Sequence, residues 1–119
     1  MSSDLEKATA KRQGKAKKVL SNLGVKLQIF KPSGRELWTV VGTDGDFIVD
    51  YDSTGRRPSY CSCQDFHFRV LSGTVSECYH LIALKQARAH RQHSTIVFTD
   101  EEYEGFLRAL LGDVFSRIS

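Results

Sequence analysis

An α+β fold is predicted for this chain, and three features of its 119 residues lead there. Between Val25 and Cys63, apolar residues recur at every second position between proline, glycine and aspartate turns, the mark of an antiparallel β-meander. Cys61, Cys63, Cys78 and His80 then spell C-x-C-x14-C-x-H, a donor set suited to one closed metal site where a strand meets a helix. Both ends of the chain follow the helical period instead. The expected architecture is a small antiparallel meander of three or four strands carrying a metal-clamped ββα unit, flanked by N-terminal and C-terminal helices. One domain is expected over residues 1–119, because a chain of this length can bury its own core yet gains from a metal clip. It divides into a basic helix over 1–24, a metal-binding core over 25–98 and an amphipathic helix over 99–119.

The first helix is expected over about 4–22, with Asp4 as its cap, since the segment lacks proline and is rich in Lys, Ala and Leu. Leu5, Ala8, Val19, Leu20 and Leu23 give it only a weak apolar stripe, and Gly14 interrupts its interior. From Val25 the period becomes two: Val25, Leu27 and Ile29 share a face, and Lys31-Pro32-Ser33-Gly34 turns the chain. Leu37, Thr39 and Val41 oppose Trp38 and Val40. Thr43-Asp44-Gly45-Asp46 is a hairpin turn, after which Phe47, Val49 and Tyr51 face one way. A polar turn over Asp52 to Pro58 leads to Ser59–Cys63. Phe66, Phe68, Val70 and Leu71 wrap the metal site, with a loop tip at Ser72-Gly73-Thr74. A helix over 79–92 buries a selection of Leu81, Ile82, Leu84 and Ala87, and Val97 and Phe98 form a short extended stretch. Thr99-Asp100-Glu101-Glu102 is a capping box opening the last helix.

The cysteine quartet uses every cysteine in the chain. An odd number of thiols, two of them a single residue apart, suits neither a disulfide framework nor the Cys-x-x-Cys redox pair. Three thiolates and one imidazole do satisfy tetrahedral zinc, so one structural Zn²⁺ is expected. Side chains two apart on a strand share a face, so Cys61 and Cys63 reach one ion from a strand end. Helical neighbours turn by about 100°, so Cys78 must stand at or before the first helical turn if His80 is to join it. His67, His90 and His93 lie outside the quartet. His90 and His93, a helical turn apart, are read as surface histidines.

Charge is unevenly spread. Residues 1–30 hold seven Lys/Arg against two acids, whereas residues 99–119 hold two against five. Lys7, Lys11, Lys15 and Lys18 fall on one helical stripe with Arg12 and Lys17 beside it, and no acid lies among them. Lys85, Arg88 and Arg91 step along the later helix at intervals of three. These nine residues are the candidate nucleic-acid contacts, through phosphates and without sequence preference, against the plainer reading of a solvated face. No aromatic residue interleaves with either stripe in sequence, so base stacking on them is not expected. Tyr103, Phe106, Leu107, Leu110, Leu111 and Val114 make a broad apolar stripe that is either core or a partner-binding surface. Asp44, Asp46, Asp50 and Asp52 alternate around the hairpin, where turn chemistry accounts for the first pair.

No signal peptide or membrane span is visible, and free thiols imply a reducing, intracellular setting. No glycine-rich phosphate loop, serine elbow or open zinc coordination is present, so no enzyme is expected.

The pattern C-x-C-x14-C-x-H after a strand pair and opening a helix resembles the SWIM zinc finger, a ββα module of DNA-associated proteins. Pro32-Ser33-Gly34-Arg35, Trp38 to Gly42, Tyr60 to Cys63, and Cys78 with His80-Leu81 resemble more closely the small SWIM subunit of Shu-type recombination complexes, over about residues 31–84. Tyr79 departs from the lysine common between the last two ligands, and the basic first helix has no counterpart in that family. The resemblance implies an accessory protein of DNA recombination and repair that works beside a RecA/Rad51-like paralog. Two functions follow as expectations: an accessory factor that touches DNA through its basic helices, or a zinc-stabilised protein–protein adaptor whose partner, a RecA-fold subunit or a second protomer, makes the DNA contact.

Overall fold

A computed structural model gives the architecture. It describes all residues except 1, 43, 44, 52, 53, 72, 74–76 and 119; the side chains of 2–5, 69 and 113–118 also lie outside the description. The elements run α1 (Ser2–Ser21), β1 (Val25–Lys31), β2 (Arg35–Gly42), β3 (Gly45–Asp50), β4 (Tyr60–Cys61), α2 (Tyr79–His90), β5 (Ser94–Thr99) and α3 (Tyr103–Ile118). The expected turn centres at Thr43, Asp44, Asp52, Ser72 and Thr74 fall outside the described residues.

The sheet has five strands in the order β4-β3-β2-β1-β5, not the three or four expected. β1 to β4 form the antiparallel meander, but β5 pairs parallel with β1, from Lys26 beside Ser94 to Lys31 beside Thr99. A parallel neighbour needs a long crossover, and α2 supplies it by carrying the chain back to the free edge of β1. The stretch read as Val97-Phe98 is therefore a full edge strand.

Antiparallel cross-strand partners share a face. Leu27, Trp38, Val49 and Cys61 make one such row, and Val25, Val40 and Phe47 the next. This face packs on α1 and α2, where Ala16, Leu20, Leu81, Leu84 and Ala87 complete a buried core with the cysteines. The opposite face presents Gln28, Phe30, Thr39 and Phe98, and α3 covers it. Phe30 is fully enclosed, stacked on Phe98 at 5.3 Å and met edge-on by Tyr103 at 4.9 Å.

The contact stripe of α1 is Ala8, Arg12, Ala16, Val19 and Leu20, so Arg12 occupies a position that the apolar pattern left out. Asp4 lies inside α1 instead of capping it, and the helix passes through Gly14 unbroken. It ends with Leu23 in the left-handed region (φ 52°), where the Leu23 and Gly24 amides donate to Leu20 and Val19 carbonyls. Leu23 is 56% exposed and adds little to the core. At the far end, the Thr99 N–H and hydroxyl both donate to Glu102 Oε1 at 3.0 Å, fixing the turn that opens α3. Among the described residues, no helix is long and apolar enough to cross a membrane.

Candidate metal centre

Cys61 closes β4 at the edge of β3, and Cys63 follows two residues on. Ser62 between them is fixed twice to β3, its N–H donating to Ile48 O and its Oγ accepting from the Ile48 N–H, each at 3.0 Å. With Ser62 held toward β3, period-two geometry leaves Cys61 and Cys63 on a common side. The chain then enters a short helical segment with a π-turn over Phe66–Val70, whose first amide, Phe66 N–H, donates to Cys63 Sγ at 3.3 Å. Phe66 and Val70 pack inward, while Phe68 and Leu71 are 72% and 65% exposed, so only two of the four expected apolar residues wrap the site. Cys78 is the extended residue that caps α2, and His80 lies in the first turn.

All four side chains are buried, and one donor atom from each lies within 4.8 Å of every other. Neither ring nitrogen of His80 has a hydrogen-bond partner. Its ring is held between Phe47, at 4.4 Å, and Tyr79, at 3.9 Å. Gly42 makes this possible, since a Cβ there would stand 2.6 Å from the Phe47 ring and 2.8 Å from His80 Nε2.

The three sulfurs share their protons unequally. Hydrogen bonds from Cys61 and then Cys78 hold Cys63 as a thiolate, far below the usual thiol range. The bonds of Cys61 to Cys63 and to Cys78, with burial, push its own thiol far upward. Cys78 is pushed up to about 12: its bond with Cys61 favours the thiolate, but the bond to Cys63, burial and the Cys63 charge outweigh that. Three sulfurs this close cannot all ionise without a cation among them. The donor set and an imidazole without other partners fit one structural metal ion, and no other cluster of this kind occurs among the described residues.

Beyond the ligands stands Arg12. Its Nε and Nη2 donate to the two carboxylate oxygens of Asp65, at 3.0 and 2.8 Å, and its Nη1 to Ala8 O at 3.1 Å. The bond to Asp65 is the main reason its guanidinium is held charged more firmly than usual, with the charges of Cys78 and Cys63 adding to it. Arg12 therefore ties α1 to the helical segment after Cys63. This corrects its place in the phosphate-contact stripe: the side chain is buried and its donors are used internally.

The other candidate contacts divide. Lys7, Lys11, Lys15, Lys17 and Lys18 are exposed and have no carboxylate partner among the described residues. Lys85 pairs with Glu77 and lies 4.9 Å from the Tyr51 ring centre. Arg88 donates to Tyr51 O at 2.7 Å and covers Trp38 at 5.3 Å. Arg91 is exposed in the left-handed residue that closes α2. On α3, Tyr103 and Phe106 pack on Phe30, Leu110 is buried, and Leu107 and Leu111 are half-buried; Val114 lies outside the described side chains. His93 packs edge-on against Trp38, and Asp50 pairs with Arg57.

Asp65 was not singled out by the sequence pattern, and Gly42, Tyr51 and Tyr79 were named there without these contacts. Asp65 lies 53 residues from Arg12, and no local period links them. A scan of protein-family models, of curated proteins and of solved structures finds no match to this chain.

Proposed function

We propose that this chain is a zinc-stabilised SWIM-type accessory protein of DNA recombination, which contacts nucleic acid through α1 and works beside a RecA-fold partner. One observation carries the nucleic-acid part: five lysines stand exposed along α1, all without carboxylate partners among the described residues. The metal ion in this reading is zinc, chosen because three sulfurs and one imidazole match its tetrahedral preference. Closed by four protein ligands, it leaves no position for a substrate and serves as a clamp. Its ligands join β4 to the start of α2, and Arg12 joins the helical segment between them to α1. The lysine-bearing helix is thereby held to the metal centre through an ion pair. The recombination context rests on the resemblance of residues 31–84 to the Shu-type subunit.

A second reading, an adaptor without nucleic-acid contact, draws support from β5. This edge strand carries no charge, and Ile96 and Val97 are 40% and 58% exposed on it. An open, uncharged strand edge is a surface to which another strand can add.

Fluorescence anisotropy with single- and double-stranded DNA across a salt series separates the two. Each phosphate contact contributes about 0.9 to the slope of log K against log salt on duplex DNA. Reversing Lys11, Lys15 and Lys18 to Glu should flatten that slope by about 2 to 3. An unchanged slope would remove α1 from the interface, and no binding by the natural protein would leave the adaptor reading.

A further inference from the structure

Two clefts adjoin α1, and their charges are disposed differently. One is lined by Arg12, Gln13, Glu77, Ile82 and Lys85. Its cations are occupied, Arg12 by Asp65 and Lys85 by Glu77. The second, about 330 Å³, is lined by Lys15, Lys18, Val19, Asn22, Val41 and Tyr79, with Gly24 and Gly42 beneath. No acidic residue lines it, and its two lysines have no carboxylate partner among the described residues.

The second cleft combines three things that one ligand class uses together. Val19, Val41 and the two glycines give an apolar floor. Tyr79 gives an aromatic wall: its ring meets His80 at 3.9 Å and lies under Lys15 Nζ, 5.4 Å from its centre, so a base takes that face as the Lys15 ammonium turns aside to the phosphate. Lys15 and Lys18 give positive charge at the rim. A flat ring with a phosphate attached satisfies all three, whereas an inorganic anion would leave the floor unused. The volume lies at the small end of ligand sites, enough for one ring system.

We infer that this cleft receives one nucleotide of a single-stranded nucleic acid, its base against Tyr79 and its phosphate at Lys15 and Lys18. The inference rests on the nucleic-acid reading above and names where a base is held. Single strands are specified because a base paired in a duplex cannot present its face to a protein ring. Tyr79 is suited to the task by position. Its neighbours in the chain are Cys78 and His80, so a metal ion held there would fix the backbone on both sides of the ring. No local pattern reveals this, because Tyr79 is 64 residues from Lys15 and only the packing of α1 on α2 brings the two together.

The test uses the full chain with its metal, a fluorescein-labelled oligothymidylate and a duplex of equal length. Loss of one stacked base costs 5- to 150-fold at about 1–3 kcal/mol. Tyr79→Ala should weaken oligothymidylate binding within that range and leave the duplex within about twofold, whereas Tyr79→Phe should retain single-strand binding. Replacing Lys15 and Lys18 with Ala should lower the single-strand salt slope by about 1.4. Because Tyr79→Ala could also disturb the neighbouring ligands, the natural protein is crosslinked in parallel to an oligonucleotide carrying 5-iodouracil; the expected adduct is on the peptide containing Tyr79. An adduct elsewhere, or competition by polyglutamate as strong as by unlabelled oligothymidylate, overturns the inference. Loss of binding in the lysine variant with none in Tyr79→Ala overturns the cleft but keeps the phosphate contacts. No binding of either DNA by the natural protein overturns both.

Discussion

Where α1 and α2 cover the sheet, the interface buries Arg12, Ser62 and His80 among apolar side chains; where α3 covers it, Phe30, Phe98, Tyr103 and Phe106 pack ring against ring. The polar contact buried on the α3 side, Gln28 Nε2–H to Thr39 Oγ1 at 3.1 Å, is neutral. The first face thus depends on charges being matched: Arg12 by Asp65, and the clustered sulfurs by the metal ion their arrangement would hold. The second depends on shape and area. Ordinary packing closes a sheet face without special chemistry, so the polar investment on the other side marks where the molecule holds something in a set position.

Removing the ion is the strongest way to test this contrast. Structural zinc supplies apparent binding energy of about 10–16 kcal/mol in finger peptides, comparable to the whole stability of a domain. A zinc chelator should therefore abolish the cooperative thermal transition followed by circular dichroism at 222 nm. β2 and β3 serve both faces, so the near-ultraviolet signal of the α3 aromatics should vanish in the same transition. Its survival would mean that the two faces fold independently. Acid should act in the same direction as the chelator. Cys61 and Cys78 hold their protons more tightly than ordinary thiols, so a metal must displace them and its affinity weakens as pH falls.

Cavity creation probes the other face. Phe30→Ala removes the ring that Phe98, Tyr103 and Phe106 enclose, at a cost of about 3–5 kcal/mol. Urea unfolding should show a lower midpoint with an unchanged slope, while the protein still binds one ion per chain. Loss of metal in this variant would show the faces to be coupled through the sheet. The smallest effect belongs to the ion pair. Asp65→Asn leaves Arg12 buried without its carboxylate and should cost about 1–3 kcal/mol. Because the pair fastens α1, hydrogen exchange should rise in α1 before it rises in α3.

What could be read in advance was local. The alternation of Val25, Leu27 and Ile29, the start of α2 at Cys78 and the capping residues Thr99 and Glu102 each follow from neighbours in sequence. The ligand quartet was legible because its spacing fixes which side chains can converge. Arg12 was misassigned because nothing near it reveals Asp65, and a buried arginine looks in sequence like a member of the lysine stripe. β5 was under-read for a related reason: Thr95, Ile96, Val97 and Phe98 show no clear alternation, and its partner β1 lies far upstream.

That distance bears on how the chain reaches its native state. Lys26 and Ser94, neighbours across β1 and β5, are 68 positions apart. Ordering a segment of that length is costly, and parallel pairings with long separations form slowly. An ion captured by Cys61, Cys63, Cys78 and His80 ties off part of the segment before β5 arrives, so metal supply should set the refolding rate as well as the final stability. In this chain the clamp would then act first as a kinetic guide, with zinc added at the start of refolding giving faster recovery than zinc added at the end.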